Sequence, residues 1–95
     1  MDISDAFRLR RCLLTVLYDS FRAMPYLQVE PEHLRLVCQV PVTQLNWNLV
    51  YLEKCGYVEL SKTYAPADHV ASSVSITVAG IDLVENEPEF EKRFS

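Results

Sequence analysis

Few residues in this chain have the types and spacing that covalent chemistry needs. Two histidines occur, His33 in an acidic helix start and His69 in a polar stretch that contains Pro66. Neither stands at a set spacing from a serine or carboxylate that would make a nucleophile and its base. Gly56 and Gly80 lie too far apart to form a phosphate-cradling loop. The three cysteines, Cys12, Cys38 and Cys55, are odd in number and lack a C-x-x-C spacing. In helical surroundings they are expected as small buried thiols. A structural zinc ion asks for four ligands at closer spacing, so no metal is expected. Neither is an enzymatic activity, a cofactor or a small-molecule substrate.

Recognition chemistry gathers instead between positions 40 and 59. Thr43, Gln44, Asn46 and Asn48 offer hydrogen bonds, Lys54 a charge, and Trp47, Val50 and Tyr51 a bulky, mostly apolar cluster. A helix has to position them. Leu45, Leu49 and Leu52 recur at intervals of four and three residues, which is one helical face. Its start is marked by Pro41 or by Thr43, and Gly56 ends it by accepting a left-handed cap. Tyr57-Val58-Glu59-Leu60 then alternates as a strand would. The recognition residues are expected opposite the leucines, with Trp47 turned outward or tucked beneath a later loop or the 25–30 linker.

The flanking elements follow from the same signals. Residues 3 to about 24 read as a first helix, capped by Ser4 or Asp2. Ile3, Phe7, Leu14, Leu17, Phe21 and Met24 share one side, and Leu9, Cys12, Leu13 and Val16 widen it. The apolar arc is then roughly 240°, against the ~100° stripe of an ordinary surface helix. Leu9, Cys12, Leu13 and Val16 are accordingly expected against a second copy or another protein, unless helices of the same domain cover them. Arg10 falls inside the arc and has to snorkel or pair. Arg8, Arg11, Thr15, Asp19 and Arg22 form a polar side, a solvated face or a phosphate-touching stripe.

Residues 25–30 form a linker, with room for a short extended piece at Tyr26–Val29. Pro31 and its flanking acids open a short second helix that ends by Gln39 and buries Leu34, Val37 and Cys38. After Leu60 a polar stretch without periodicity reads as a long hairpin loop. Val74, Ile76 and Val78 return as a strand, and Thr77 or Gly80 marks entry to a helix bearing Ile81, Leu83 and Val84. Asn86 and Pro88 interrupt it, and residues 89–94 continue as a short helix or fray.

Composition narrows the function further. Hydrophobic residues make up 49% of 95, which suits one ordered small domain. The net charge is −4, and residues 82–95 carry five acids and two bases, which leaves eight acids and seven bases in residues 1–81. Any basic footprint for nucleic acid must therefore be local. No apolar run approaches the ~18 residues of a membrane span. The start of the chain, with Asp2, Asp5, Arg8, Arg10 and Arg11, is unlike a secretory signal. A cytoplasmic protein without a membrane partner is expected.

The spacing Val40, Leu45, Leu49, Leu52, Gly56, then Tyr-Val-Glu, resembles the recognition helix and first wing strand of winged helix-turn-helix domains. Ile76 to Glu85 resembles the second wing strand and last helix of their bacterial and phage members. The resemblance implies an α+β fold with three main helices, a two- or three-stranded β-wing and a C-terminal helix. One domain would fill 1–95, with helix 1 at 3–24, the helix-turn-helix at 31–55, the wing at 57–78 and the C-terminal helix at 79–94. It implies a transcription regulator that binds DNA sequence-specifically, often as a homodimer. Thr43, Gln44 and Asn48 would then meet base edges, on a surface shared with Trp47 and Tyr51. Lys54, Arg35, Lys62 and His69 would meet the sugar–phosphate backbone. The same flank also suits a protein: it holds no arginine, Glu53 and Glu59 would repel phosphate, and Trp and Tyr are enriched at interface hot spots. The alternative is a winged-helix adaptor that grips a protein partner and does not bind DNA.

Overall fold

In a computed structural model, the backbone is described for residues 3–94 and the side chains for residues 5–94. The caps expected at Asp2 or Ser4, and the apolar side chain of Ile3, lie outside the described residues. Among those described, the chain forms five helices and one two-stranded antiparallel sheet, an α+β arrangement. In order these are α1 (Ile3–Ala23), α2 (Pro31–Val37), α3 (Val42–Lys54), β1 (Val58–Ser61), β2 (Ser73–Ile76), α4 (Val78–Glu85) and α5 (Glu87–Arg93).

The leucine seam of α3 lies at the centre. Leu45, Leu49 and Leu52 are fully buried with Leu13, Leu14 and Leu17 of α1 and Leu34 of α2. Pro41 stands one position before the helix, as its N-cap, and its carbonyl accepts the Leu45 N–H at 3.0 Å. At the other end Gly56 takes φ +84°. The Gly56 N–H donates to the Glu53 carbonyl at 2.9 Å and the Tyr57 N–H to the Leu52 carbonyl at 3.0 Å. This paired closure is the Schellman motif, which a glycine at the left-handed position makes cheap.

β1 pairs with β2 in the register Val58 to Ile76 and Leu60 to Val74. Val29 adds a single antiparallel bridge to Val74, with bonds of 2.9 and 2.8 Å. The extended piece foreseen at Tyr26–Val29 thus amounts to one paired residue. Before it, Met24, Tyr26 and Leu27 are exposed. Thr77 links the sheet to the helices on both sides. Its hydroxyl donates to the Gly56 carbonyl at 2.6 Å and accepts from the Gly80 N–H at 3.1 Å, which caps α4.

Three expectations are corrected. The broad apolar arc of α1 is closed by the chain itself. α1 packs on α3, β2 and α4, and Phe94, just past α5, is fully buried with its ring 6.5 Å from Phe7 and 6.4 Å from Tyr57. Leu9 and Leu13, assigned to an interface between copies, are buried in this core, and Val16 is packed against it. The C-terminal residues therefore anchor rather than fray. Lastly, Cys12 and Cys38 are not separate thiols: they are joined as a disulfide, Cα to Cα 6.0 Å, between the middle of α1 and the end of α2. Such a bond persists in oxidising surroundings and is reduced in most cytoplasms. Cys55 keeps its thiol. No helix among the described residues is long and apolar enough to cross a membrane.

Gly80 owes its place to proximity, not to backbone freedom. A Cβ there would fall 2.3 Å from the Tyr57 carbonyl oxygen and 2.7 Å from Ile76 Cγ1. Gly80→Ala should therefore destabilise the fold by about 1–3 kcal/mol in urea unfolding, the usual range for overpacking. A change below half a kilocalorie would mean that α4 does not abut Tyr57 so closely.

Candidate interaction site on the outward flank of the third helix

At 100° per residue the polar and aromatic positions of α3 do not all face away from the leucines. Thr43, Trp47, Val50 and Lys54 form the outward row. Thr43 and Lys54 are exposed, Val50 is half-buried, and the Trp47 side chain is 61% exposed. The reading in which Trp47 tucks under the wing or the linker is thereby corrected. Gln44 and Tyr51, at the edge of the row, are half-buried.

Asn48 departs most from expectation. It lies beside Leu52 at the edge of the leucine seam in helical phase, and it is 0% exposed. Its Oδ1 accepts from Arg10 Nε at 2.9 Å, and its Nδ2 donates to the Gln44 carbonyl at 2.8 Å. It serves the interior and has no surface to offer a base edge.

Arg10 is the partner that explains this. It is 6% exposed, and its Cζ sits 3.7 Å above the Tyr51 ring centroid, 5.7 Å from that of Trp47 and 5.9 Å from that of Phe7. Among the described residues no carboxylate lies within ion-pair distance of it. An amide oxygen and three ring faces hold the charge, an arrangement worth about 2 kcal/mol or more per stacked ring when desolvated. Arg93, from the end of α5, reaches the far side of the same tyrosine. Its Nη2 donates to Tyr51 Oη at 2.8 Å and to Cys55 Sγ at 3.4 Å, and its Cζ is 5.0 Å from the Phe94 ring centroid. The Tyr51 hydrogen bond holds the Arg93 guanidinium more firmly protonated than usual.

The cations proposed for a nucleic-acid backbone are largely committed elsewhere. Arg35 Nε donates to both Glu32 oxygens at 2.9 Å. That bond, with a lesser contribution from His69, holds the Glu32 carboxyl below the usual carboxylate range. The lowered value means that this contact stabilises above the unfolded carboxylate's titration and is lost as pH falls through the folded one. Lys62 pairs with Glu53 at 3.2 Å. His69 lies 3.3 Å from Glu32, its side chain is 10% exposed, and its Nδ1 is enclosed without a hydrogen-bond partner.

The long loop between the strands is tied down instead of reaching outward. Asn46 Nδ2 donates to the Asp68 carbonyl, and Asn46 Oδ1 accepts from the Val70 N–H at 3.0 Å. On α1, Arg8 lines a hollow of about 270 Å³ with Gln44 and approaches Asp5 at 3.8 Å. Arg11 lines a different hollow with Glu87 and Glu91. Arg8 thus shares a hollow with Gln44, while Arg35 and Lys62 are paired with carboxylates. What α3 presents to a visitor is Thr43, Trp47 and Lys54, backed by two guanidiniums.

Arg10 and Arg93 were not foreseen as site residues. Arg10 carried a signal, a charge inside an apolar arc, and Asn48 carried another in its phase. Arg93 carried none, because only the folded chain brings residue 93 to residue 51. No known protein family, curated protein or solved structure matches the chain.

If Asn48 holds a buried cation, Asn48→Ala should cost about 2–3 kcal/mol, the penalty for leaving a buried charged donor unpaired. Thr43→Ala should stay within about half a kilocalorie. Equal, small effects in urea unfolding would return Asn48 to the surface.

Proposed function

We propose that this chain is a small winged-helix-like module that binds another protein through the outward flank of α3, rather than a sequence-specific DNA reader. The element order supports the layout: a helix, two short helices joined by a tight turn at Gln39–Pro41, then an antiparallel pair of strands with a long loop. The observation that carries the functional choice is the exposed indole of Trp47 beside a rigid Tyr51–Arg10 stack. Exposed aromatics on a stiff support are what protein interfaces use as anchors.

The competing use, a duplex in the same place, asks for several unpaired cations and for amides aimed at base edges. Arg35, Lys62 and His69 are engaged with carboxylates, and Asn48 is enclosed. With a net charge of −4, the chain has little long-range attraction for phosphate. A homodimer is not required to cover α1, since the apolar arc is filled from within.

An electrophoretic shift assay with mixed genomic fragments at low and moderate salt tests the choice. The protein-binding reading expects no shift even at low salt. A shift that weakens steeply as salt is added would establish phosphate contacts and overturn it.

A further inference from the structure

Two arginines approach one tyrosine of α3, one at its ring and one at its hydroxyl, and among the described residues neither has an acid within ion-pair distance. Arg10 stacks on the ring at 3.7 Å and Arg93 bonds to the hydroxyl at 2.8 Å. Four other cations of the fold are placed differently. Arg35, Lys62 and Arg8 each stand within 4 Å of a carboxylate, and Arg11 shares a hollow with Glu87 and Glu91. Even Glu89, one turn before Arg93 in α5, is outside ion-pair distance. Arg10, Arg93 and Lys54 gather along one side of α3, and none of them has a carboxylate within 4 Å among the described residues, in a chain with thirteen acids and nine bases.

The row runs along two turns of α3. Trp47, Tyr51 and Cys55 recur at intervals of four, and eight residues of helix rise about 12 Å. Exposed Lys54 sits at its lower end. An aromatic at one end, two guanidiniums along the side and an ammonium at the other match about four residues of extended chain. Guanidinium groups recognise carboxylates in two-pronged fashion, and an indole accepts an apolar side chain on its face.

We propose that this strip is the docking site for an acidic peptide segment of a partner protein, with carboxylates on Arg93 and Lys54 and an apolar side chain against Trp47. Arg10, mostly enclosed, supplies fixed positive charge from below and holds Trp47 and Tyr51 in place. It is a positioning residue. The proposal rests on the protein-binding reading and adds to it the chemistry of the partner. Charge complementarity selects the occupant: the strip is positive within a chain that is negative overall.

The test uses the whole chain and a fluorescein-labelled synthetic peptide carrying four glutamates and two leucines on a glycine–serine background. Its counterpart has glutamine at each glutamate. Fluorescence anisotropy should show saturable binding of the glutamate peptide, weakened at least about tenfold, or 1.4 kcal/mol, by glutamine replacement. Arg93→Gln and Trp47→Ala, each checked for folding by circular dichroism, should weaken it to a similar degree. Arg93→Lys should recover part of the loss. Equal binding of both peptides would overturn the acidic partner while leaving a protein-binding module intact. Absence of any peptide binding would overturn the proposal as well. Binding of an oligothymidylate strand in place of the peptide would overturn this proposal and the protein-binding reading together. A concentration-dependent dimer that Arg93→Gln dissociates would assign the strip to a second copy and likewise end it.

Discussion

A positive charge buried with no carboxylate within ion-pair distance among the described residues is the constraint on which the rest of the structure depends. Arg10 lies inside what is otherwise the apolar face of α1, at 6% exposure. Burial of an unpaired guanidinium is costly unless its donors and its charge are met by the protein. Asn48 meets the first need, through its carbonyl oxygen at 2.9 Å, and the faces of Tyr51, Trp47 and Phe7 meet the second. Each partner is then restricted in turn. Asn48 is oriented by its own bond to the Gln44 carbonyl, so the amide cannot flip without losing a partner. Tyr51 is held between Arg10 and Arg93. The arrangement sets the rotation of α3 about its axis relative to α1, a choice that leucine packing alone leaves looser. Trp47 is exposed as a consequence.

The opposite end of α3 is governed by backbone geometry. Gly56 turns the chain, Thr77 bonds to the turn, and Gly80 lets α4 approach the Tyr57 carbonyl. The loop between the strands is drawn onto α3 by Asn46 and onto α2 by His69 and Glu32. These bonds use up side chains that a nucleic-acid reader would keep available. The disulfide between Cys12 and Cys38 adds a covalent tie where α2 has only seven residues to hold it against α1. A short helix has little stability of its own, so long-range anchoring matters most there.

Much of this architecture was legible in the sequence, for identifiable reasons. The leucine interval placed α3, and Gly56 placed its end. Alternation at Tyr57–Leu60 and at Val74, Ile76 and Val78 placed the strands, although Val78 opens α4 instead, and Pro31 placed the start of α2. Local rules suffice where one residue's backbone preference or one face's periodicity decides. They fail where the deciding partner is distant in the chain. Asn48 looked like an outward amide because polarity was weighed above phase, although it falls next to Leu52 at the edge of the seam. Cys12 and Cys38 looked unpaired because their separation of 26 residues follows no motif. The C-terminal stretch was open to a short helix or a fraying end; it forms α5, and Phe94 after it completes the aromatic group with Phe7, Tyr57 and Phe90. The apolar arc on α1 is as wide as its sequence suggests, but its covering comes from α3, β2, α4 and Phe94 of the same chain.

The most direct measurement of the central claim is the Nε–H resonance of Arg10 in a proton–nitrogen correlation spectrum. A guanidinium fixed on Tyr51 and bonded to Asn48 should give a resolved, ring-current-shifted signal that exchanges slowly with water and moves when Tyr51 is replaced by leucine. An Arg10 signal averaged with those of the surface arginines, and indifferent to Tyr51, would contradict the account.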